Sequence, residues 1–141
     1  HSDFSKYENS QIKMYDAIQD AYLQISANYG FLPIIPTGEA IQTVRGTSVG
    51  DNLNRDGYHL NDKGRIIAAL TWYETITGKC ALNTNFDFEN AIGITETEAE
   101  IFKSAAHSAS ELFKKANETQ LAIEAIGTVT EESGEAIEKA E

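Results

Sequence analysis

An aspartate and a histidine, Asp56 and His59, stand three residues apart in the polar run 51–64. At this spacing the carboxylate can fold back across a turn and accept the imidazole Nδ1–H, which fixes the tautomer and leaves Nε2 to act as a base. The chemistry that the pair could perform is proton abstraction from a hydroxyl nucleophile, with Asp56 as the orienting carboxylate and His59 as the general base. The pair is therefore a candidate for a catalytic site in this run.

The same polar run also matches the opening positions of a calcium-binding loop. The matching residues are Asn52, Asn54, Asp56 and Gly57. The twelfth position of such a loop must supply a carboxylate, and Lys63 occupies it in this chain. Because a lysine places a positive charge where the cation would bind, calcium binding is not expected.

Two further interpretations of the run stay open. A transition-metal site could be built from Asp51, Asp56, His59 and Asp62. A single histidine among scattered carboxylates is weak evidence for such a site. Alternatively, the Asp, Asn and Gly residues simply form turns and helix caps. Since the pattern D-x-x-H is common by chance, spacing alone favours the turn-and-cap interpretation.

The composition indicates one ordinary domain with room for a hydrophobic core. The chain has 141 residues, 41% of them hydrophobic, and a net charge of −11. Such an acidic balance argues against a nucleic-acid partner or an anionic membrane. Residues 82–141 carry thirteen acidic and four basic groups, so most of the excess lies away from the Asp/His pair. A solvated helical tail explains this distribution.

Cys80 is the only cysteine, which excludes an intrachain disulfide and a cysteine metal cluster. It follows a helix end and has no histidine near it in sequence, so an inert, half-exposed thiol is expected. No apolar run approaches the length of a membrane span. The sequence predicts no cofactor.

The apolar pattern of the first half predicts helices that alternate with a strand. Residues 9–29 form an amphipathic helix whose tyrosines and isoleucines share one face, which we expect to pack on a sheet. Residues 31–36 are continuously apolar, as is typical of a strand buried in a parallel sheet. A long polar loop follows and reaches His59. This order predicts an α/β layer fold.

The helix signals after the polar run are clear. Residues 62–77 form the next helix, with Asn61 or Asp62 as its N-cap and Gly78 as its stop. Further on, Thr95 and Glu98 form a capping box that opens a helix to about residue 116.

Residues 117–141 are expected to form an acidic helical tail of shorter helices, interrupted at residues 127–130. His107 lies beside the small-residue face of the preceding helix. We expect it to be a structural or surface histidine.

Several segments resemble the C-terminal catalytic block of the SGNH (GDSL-like) hydrolases, in particular a bacterial branch known only as a domain of unknown function. The central segments are the run L-N-R-D-G-Y-H-L at 53–60, Gly64-Arg65 and the helix segment 69–78. Supporting positions are Tyr7, Gln11, Met14-Tyr15, Ile18, the run I-I-P-T-G at 34–38, and residues 94–96 and 105–107. The similarity covers about residues 1–112.

The resemblance implies a three-layer, flavodoxin-like α/β fold, of which residues 1–116 would be the C-terminal portion. It also implies an enzyme that cleaves esters, often acetyl groups on carbohydrates. His59 would deprotonate a serine and then protonate the leaving alcohol, while Asp56 would orient His59. The serine and oxyanion-hole blocks of the family are not recognisable in this chain, so the nucleophile is expected upstream and the chain alone is expected to be inactive. Ser48 lies between glycines, but its position matches an ordinary loop in the family.

The tail carries a second resemblance. Residues 121–140 resemble the start of a helical module that is repeated in surface proteins of Gram-positive bacteria. This implies a long secreted or wall-attached protein, located outside the cell or at its surface. The expected partners are a small-molecule or glycan ester and, for the fold itself, a missing N-terminal segment or a second copy of the chain. The alternative function is a non-catalytic surface interaction or carbohydrate-binding module.

Overall fold

The computed structural model of the chain describes residues 4–30 and 32–138, the stretch 124–138 as helix backbone only. The described residues form five α-helices and two short 3₁₀ helices. The α-helices are α1 (Gln11–Asn28), α2 (Thr37–Arg45), α3 (Asp62–Thr77), α4 (Phe88–Ile92) and α5 (Glu96–Glu138). The 3₁₀ helices cover Phe4–Tyr7 and Ala81–Asn83.

The prediction of an α/β, three-layer flavodoxin-like fold is wrong for this chain, because the described residues contain no strand and no sheet. Their only β-type pairing is an isolated antiparallel bridge between Asn54 and Leu60. Of the predicted strand 31–36, residues 32–36 have no regular structure, and residue 31 lies outside the described residues. Pro33 and Pro36 lack the N–H that a ladder requires, and no second strand is available among the described residues to pair with this segment.

The core is formed where α2, α3 and α5 pack against one another. The largest side chains buried completely there include Phe102 of α5, Ile67 of α3, Val44 of α2 and Leu53 of the polar run. Around them lie smaller buried side chains of α5: Ala99, Ala105, Ala106 and Ala109. These alanines allow α5 to approach its neighbours closely. The predicted small-residue face of this helix is confirmed at Phe102, Ala105 and Ala109 but is wrong at Leu112 and Ala116, which are exposed.

Helix α1 agrees with its predicted bounds, but its apolar face is not covered. Ser10 caps the helix by accepting a hydrogen bond from the Lys13 backbone N–H at 3.4 Å, and Gly30 follows it with φ +80°. The face that was expected to pack on a sheet is largely exposed: Ile18, Tyr22, Ile25 and Tyr29. The expected packing is wrong because the described residues contain no sheet to receive it.

Two hydrogen bonds connect α1 to the chain that follows. The Tyr15 hydroxyl donates to Glu39 of α2 at 2.7 Å, and the Ser26 hydroxyl donates to the Leu32 carbonyl at 2.6 Å. Burial, and then the hydrogen bond to Glu39, raises the pKa of Tyr15 above its ordinary value. The hydroxyl therefore stays protonated and remains a donor in neutral solution.

Helix α2 lies inside the stretch that was predicted as a long loop. Three of its residues, Ala40, Ile41 and Val44, are buried against α3 and α5. At nine residues the helix is too short for its periodicity to stand out from a polar background. The indole N–H of Trp72 donates to the Thr37 hydroxyl at 3.1 Å and so connects α3 to the start of α2.

The ends of α3 confirm the predicted caps. The Asn61 side chain accepts a hydrogen bond from the Gly64 backbone N–H at 3.1 Å. At the other end Gly78 adopts φ +68°, the left-handed conformation that a C-terminal glycine supplies at little cost.

The capping box of α5 is also confirmed. The Thr95 hydroxyl accepts from the Glu98 backbone N–H, and the Glu98 carboxylate accepts from the Thr95 backbone N–H, both at 3.3 Å. The predicted interruption at residues 127–130 is wrong, because α5 continues through them to Glu138. No helix in the described ranges has the length and apolar character needed to cross a bilayer.

Gly64 should be intolerant of any side chain. A Cβ there would lie 2.7 Å from the Leu53 carbonyl oxygen and 2.8 Å from Leu60 Cδ2. Alanine is the better helix former by about 1 kcal/mol, but a clash with backbone relaxes poorly and costs about 1–3 kcal/mol. We expect Gly64→Ala to lower the free energy of unfolding in urea by about 1–2 kcal/mol.

Gly46→Ala is the matched control for this substitution. Gly46 has φ −75°, and its nearest new neighbour would be the Thr43 carbonyl at 3.4 Å. This variant should be unchanged or more stable by up to about 1 kcal/mol. Equal effects of the two substitutions would contradict a steric role for Gly64.

The ion pair between Lys63 and Glu98 connects the start of α3 to the start of α5. The hydrogen bond from Lys63 lowers the pKa of Glu98 below its ordinary value. The ion pair therefore stabilises the fold above the ordinary carboxyl pKa, and this stabilisation is lost as the pH falls through the folded-state value. Glu98→Gln keeps an acceptor for the capping box but removes the charge, so we expect a loss of about 0.5–1 kcal/mol at neutral pH.

Urea denaturation of the native chain and Glu98→Gln at several pH values tests this expectation. The difference between the two proteins should shrink as the solution is acidified below the carboxyl range. A difference that stays constant with pH would assign the effect to the capping box rather than to the charge.

Candidate active site

The polar run is shaped by backbone hydrogen bonds into a closed loop against the start of α3. The Arg55 N–H donates to the His59 carbonyl, and the Asn61 N–H donates to the Leu53 carbonyl, each at 3.0 Å. Leu53 is completely buried and anchors the loop in the core. At the tip Gly57 has φ +75°, a conformation that a residue with a Cβ rarely adopts. The loop is therefore held at its base and turned sharply at its tip.

Asp56 and His59 meet in the geometry that their spacing predicts. His59 Nδ1 lies 2.7 Å from Asp56 Oδ2. The other carboxylate oxygen, Oδ1, accepts from the backbone N–H groups of His59 at 2.7 Å and Tyr58 at 3.0 Å. One carboxylate thus holds both the backbone and the ring of the histidine.

The charge state of Asp56 determines which imidazole nitrogen carries the proton. The backbone N–H of His59 is the largest cause that lowers the pKa of Asp56 well below its usual range, followed by the hydrogen bond to the imidazole and the backbone N–H of Tyr58. An ionised carboxylate only accepts hydrogen bonds, so Nδ1 must carry the proton. In the neutral ring Nε2 then has a free lone pair for a general base.

The pair is open to solvent and lies beside an aromatic ring. The side chain of His59 is 53% exposed and that of Asp56 is 46% exposed. The Tyr58 ring meets the His59 ring edge to face, with centroids 4.6 Å apart. Within the described part of the chain, no hydroxyl or thiol group hydrogen-bonds to His59. Among the described residues, the site therefore holds a base and its orienting carboxylate, with no nucleophile hydrogen-bonded to the base.

The other candidate site residues of the polar run hydrogen-bond to groups other than Asp56 and His59. Asp51 accepts from Arg45 at 2.7 Å, and Asp62 accepts from Arg65 at 3.2 Å. Neither joins Asp56 and His59 in a group of metal ligands among the residues searched. Ser48 is exposed in the turn after α2. The structure thus brings together only Asp56 and His59 of the candidates discussed.

A second group of chemically competent side chains was missed by the sequence reasoning. Glu74 of α3, Cys80 of the following connection and His107 of α5 place one ligand atom each within 4.8 Å of one another. His107 is separated from Glu74 by 33 positions, and no local motif connects them. Only a knowledge of how α3 packs on α5 could have indicated this group, and the sequence pattern does not specify that packing.

Two apolar grooves border the exposed face of α1. One lies among α1, α3 and α5, and the other among α1, residues 32–39 and α3. The larger exposed aromatic side chains near them include Tyr22 and Trp72. Asp56 and His59 line neither groove.

Comparison with known proteins identifies a matching protein family. The family model described as "Domain of unknown function (DUF4886)" matches residues 1–109. The chain belongs to the DUF4886 family. This confirms the resemblance to a domain of unknown function, and the family description assigns no activity.

A solved relative within the family has a similar structure. It is a DUF4886 family protein from Bacteroides uniformis ATCC 8492, 38% identical in sequence, with a TM-score of 0.72. The match covers 77% of this chain and 41% of that protein. The matched part of the DUF4886 chain therefore covers less than half of that solved relative. No curated protein matches it in sequence.

The Asp56 carboxyl offers a direct test of the site geometry. In an NMR titration, the pKa of Asp56 in the native chain should lie well below the usual aspartate range. His59→Ala removes the imidazole hydrogen bond but keeps a backbone N–H at the same position, so the pKa should rise only part of the way to its usual value. Stabilisation of the loop by this carboxylate is present above the unfolded-state pKa and is lost as the pH falls through the folded-state value.

Asp87 serves as an internal reference in the same titration. Its pKa is lowered by hydrogen bonds from Asn90, remote in sequence from the loop. It should not move in His59→Ala. A usual pKa for Asp56 in the native chain would contradict the hydrogen bonds described above.

Proposed function

We propose that this chain supplies the Asp–His half of a serine esterase of the SGNH (GDSL-like) type. The observation that supports the proposal most directly is the 2.7 Å contact between His59 Nδ1 and Asp56 Oδ2. It directs one imidazole nitrogen to the carboxylate and leaves the other for substrate chemistry. The resemblance of residues 53–60 and of the helix that follows them adds to this support.

In this mechanism His59 Nε2 takes the proton of a serine hydroxyl as the oxygen attacks the ester carbonyl. The resulting imidazolium then donates that proton to the leaving alcohol, and a water molecule repeats the cycle on the acyl-enzyme. Asp56 stays ionised, orients the ring and stabilises the imidazolium. Its backbone hydrogen bonds keep the carboxylate in place while the charge on the ring changes.

The proposal assigns the nucleophilic serine and the oxyanion hole to polypeptide outside this chain. Ser48 is not assigned the role, because it is exposed in a separate turn and makes no hydrogen bond to His59. The match to only 41% of the solved relative is compatible with further polypeptide in the functional unit. The substrate class is a short-acyl ester, such as an acetylated carbohydrate, and the proposed location is the cell surface or the extracellular space.

Hydrolysis of p-nitrophenyl acetate by the full-length protein that contains this chain tests the proposal. His59→Ala should lower kcat by roughly four to six orders of magnitude, since loss of the base removes the covalent route. Asp56→Asn should lower kcat by about four orders of magnitude, because the amide supports the wrong tautomer.

Asp62→Asn is the matched control for Asp56→Asn. It neutralises another exposed carboxylate close in sequence, which pairs with Arg65 rather than with His59. Circular dichroism should show the same helix content in all three variants. Full turnover in a folded His59→Ala protein would refute the assignment.

A non-catalytic binding module is the second candidate function. The exposed Tyr22 and Trp72 beside the apolar grooves favour it, since aromatic faces are common platforms for sugars and other ligands. This candidate predicts glycan binding by the full-length protein without any ester turnover. Turnover that depends on His59 would decide for the esterase.

A further inference from the structure

Glu74, Cys80 and His107 form a cluster at the contact between α3 and α5. Glu74 is buried, with 7% of its surface exposed, and Cys80 is half-buried. The imidazole Nδ1 of His107 lies 2.7 Å from Glu74 Oε1 and 3.5 Å from Cys80 Sγ. Three separate parts of the chain thus converge on one point with three different ligand types.

We propose that this cluster is a zinc site, with Glu74, Cys80 and His107 as protein ligands and water in the fourth position. Zinc accepts thiolate, imidazole and carboxylate ligands together. Calcium and magnesium require oxygen ligands and would not use the sulfur or the imidazole nitrogen. A divalent ion with one carboxylate and one thiolate also forms a neutral unit, which suits a partly buried position.

One separation between ligand atoms matches a tetrahedral site, and a second is shorter. Zinc–ligand bonds of about 2.0–2.3 Å place neighbouring ligand atoms roughly 3.3–3.7 Å apart. The Sγ–Nδ1 separation of 3.5 Å falls in this range. The Nδ1–Oε1 separation of 2.7 Å is that of a hydrogen bond and must open by about 0.6 Å when the ion replaces the shared proton.

Metal binding at this cluster has a defined proton balance. The Cys80 thiol loses its proton to solvent as the sulfur–zinc bond forms. The proton on Nδ1 of the neutral His107 imidazole moves through solvent to Nε2, so Nδ1 binds zinc, the ring stays neutral and one proton is released in total. No electron is transferred, and no other reactant is required.

The surroundings hold the carboxylate and leave a path for the ion. The Ala81 backbone N–H donates to Glu74 Oε2 at 2.7 Å, which orients Oε1 toward His107. Such outer contacts position metal ligands in known sites. The His107 side chain is 33% exposed, so one side of the cluster is accessible to an ion and to water. The zinc site shares no residue with the Asp56–His59 pair and does not depend on the proposed esterase.

Cobalt(II) is a suitable probe because it replaces zinc and has visible and near-ultraviolet bands. The protein, purified with chelator and without a histidine tag, should bind one cobalt ion per chain. A thiolate-to-cobalt charge-transfer band should appear in the near ultraviolet, with ligand-field bands of a tetrahedral site in the visible. Added zinc should remove both. Since Cys80 is the only cysteine in the chain, the charge-transfer band reports on this site.

Variants separate this site from other metal-binding positions. Cys80→Ser should abolish the charge-transfer band. If the serine variant does not fold, Cys80→Ala is used in its place and should also abolish the band. His107→Gln should weaken zinc binding at least about 100-fold, the upper end of the cost of losing an outer partner. His59→Gln is the matched control and should leave both the band and the zinc affinity unchanged.

Three experimental results would contradict the proposed zinc site. A folded native protein that binds no cobalt, or a charge-transfer band that survives Cys80→Ser, would overturn the zinc site and leave an ordinary hydrogen bond between Glu74 and His107. An equal loss of zinc affinity in His59→Gln and His107→Gln would do the same. Neither result bears on ester hydrolysis, which the His59→Ala assay measures separately.

Discussion

The buried carboxylate of Glu74 is the interaction on which the arrangement of the helices depends. A charge that is removed from water is tolerated only when hydrogen-bond donors surround it. Glu74 finds them in the Ala81 N–H and in His107. The first donor fixes the connection that leaves α3, and the second fixes α5 against α3. Loss of either partner would leave one buried oxygen of Glu74 without its hydrogen bond, which typically costs about 1–3 kcal/mol. The apolar contacts of Ile67 and Phe102 supply the cohesion of this interface, while the polar contacts specify its alignment.

Helix α3 connects this interface to the Asp56–His59 loop. The loop packs against the N-terminal end of α3, where the Leu53 carbonyl lies close to the backbone of Gly64. Glu74 lies twelve residues further along from Asp62, or about 18 Å along the helix axis. The loop that holds Asp56 and His59 therefore precedes one end of α3, and Glu74 lies in the last turn at its other end. A helix packed on two neighbours positions such groups more accurately than a free loop does, which is the condition that catalysis and metal binding share.

Features determined by neighbouring residues could be predicted from the sequence. The caps of α3, the capping box of α5 and the contact of Asp56 with His59 all depend on groups three or four positions apart, whose hydrogen bonds are local. Features determined by packing could not be predicted. Residues 32–36 have the composition of a strand, but a strand requires a neighbour, and the described residues provide none. Helix α2 was missed because nine residues carry too little periodicity. The Glu74–His107 contact was missed because it arises from the docking of two helices across 33 positions.

Because α5 is uninterrupted, its length determines both how far its two ends are apart and how they are rotated relative to each other about the helix axis. Each residue of an α-helix advances the axis by about 1.5 Å and turns it by about 100°. The 43 residues of α5 therefore span about 65 Å, and the direction of the helix at Glu138 follows from the end that packs on α3. A deletion of one residue in this helix would shorten it slightly but would swing everything downstream by more than a quarter turn. The length of α5 could thus change by whole pairs of turns, about seven residues, with little loss of orientation.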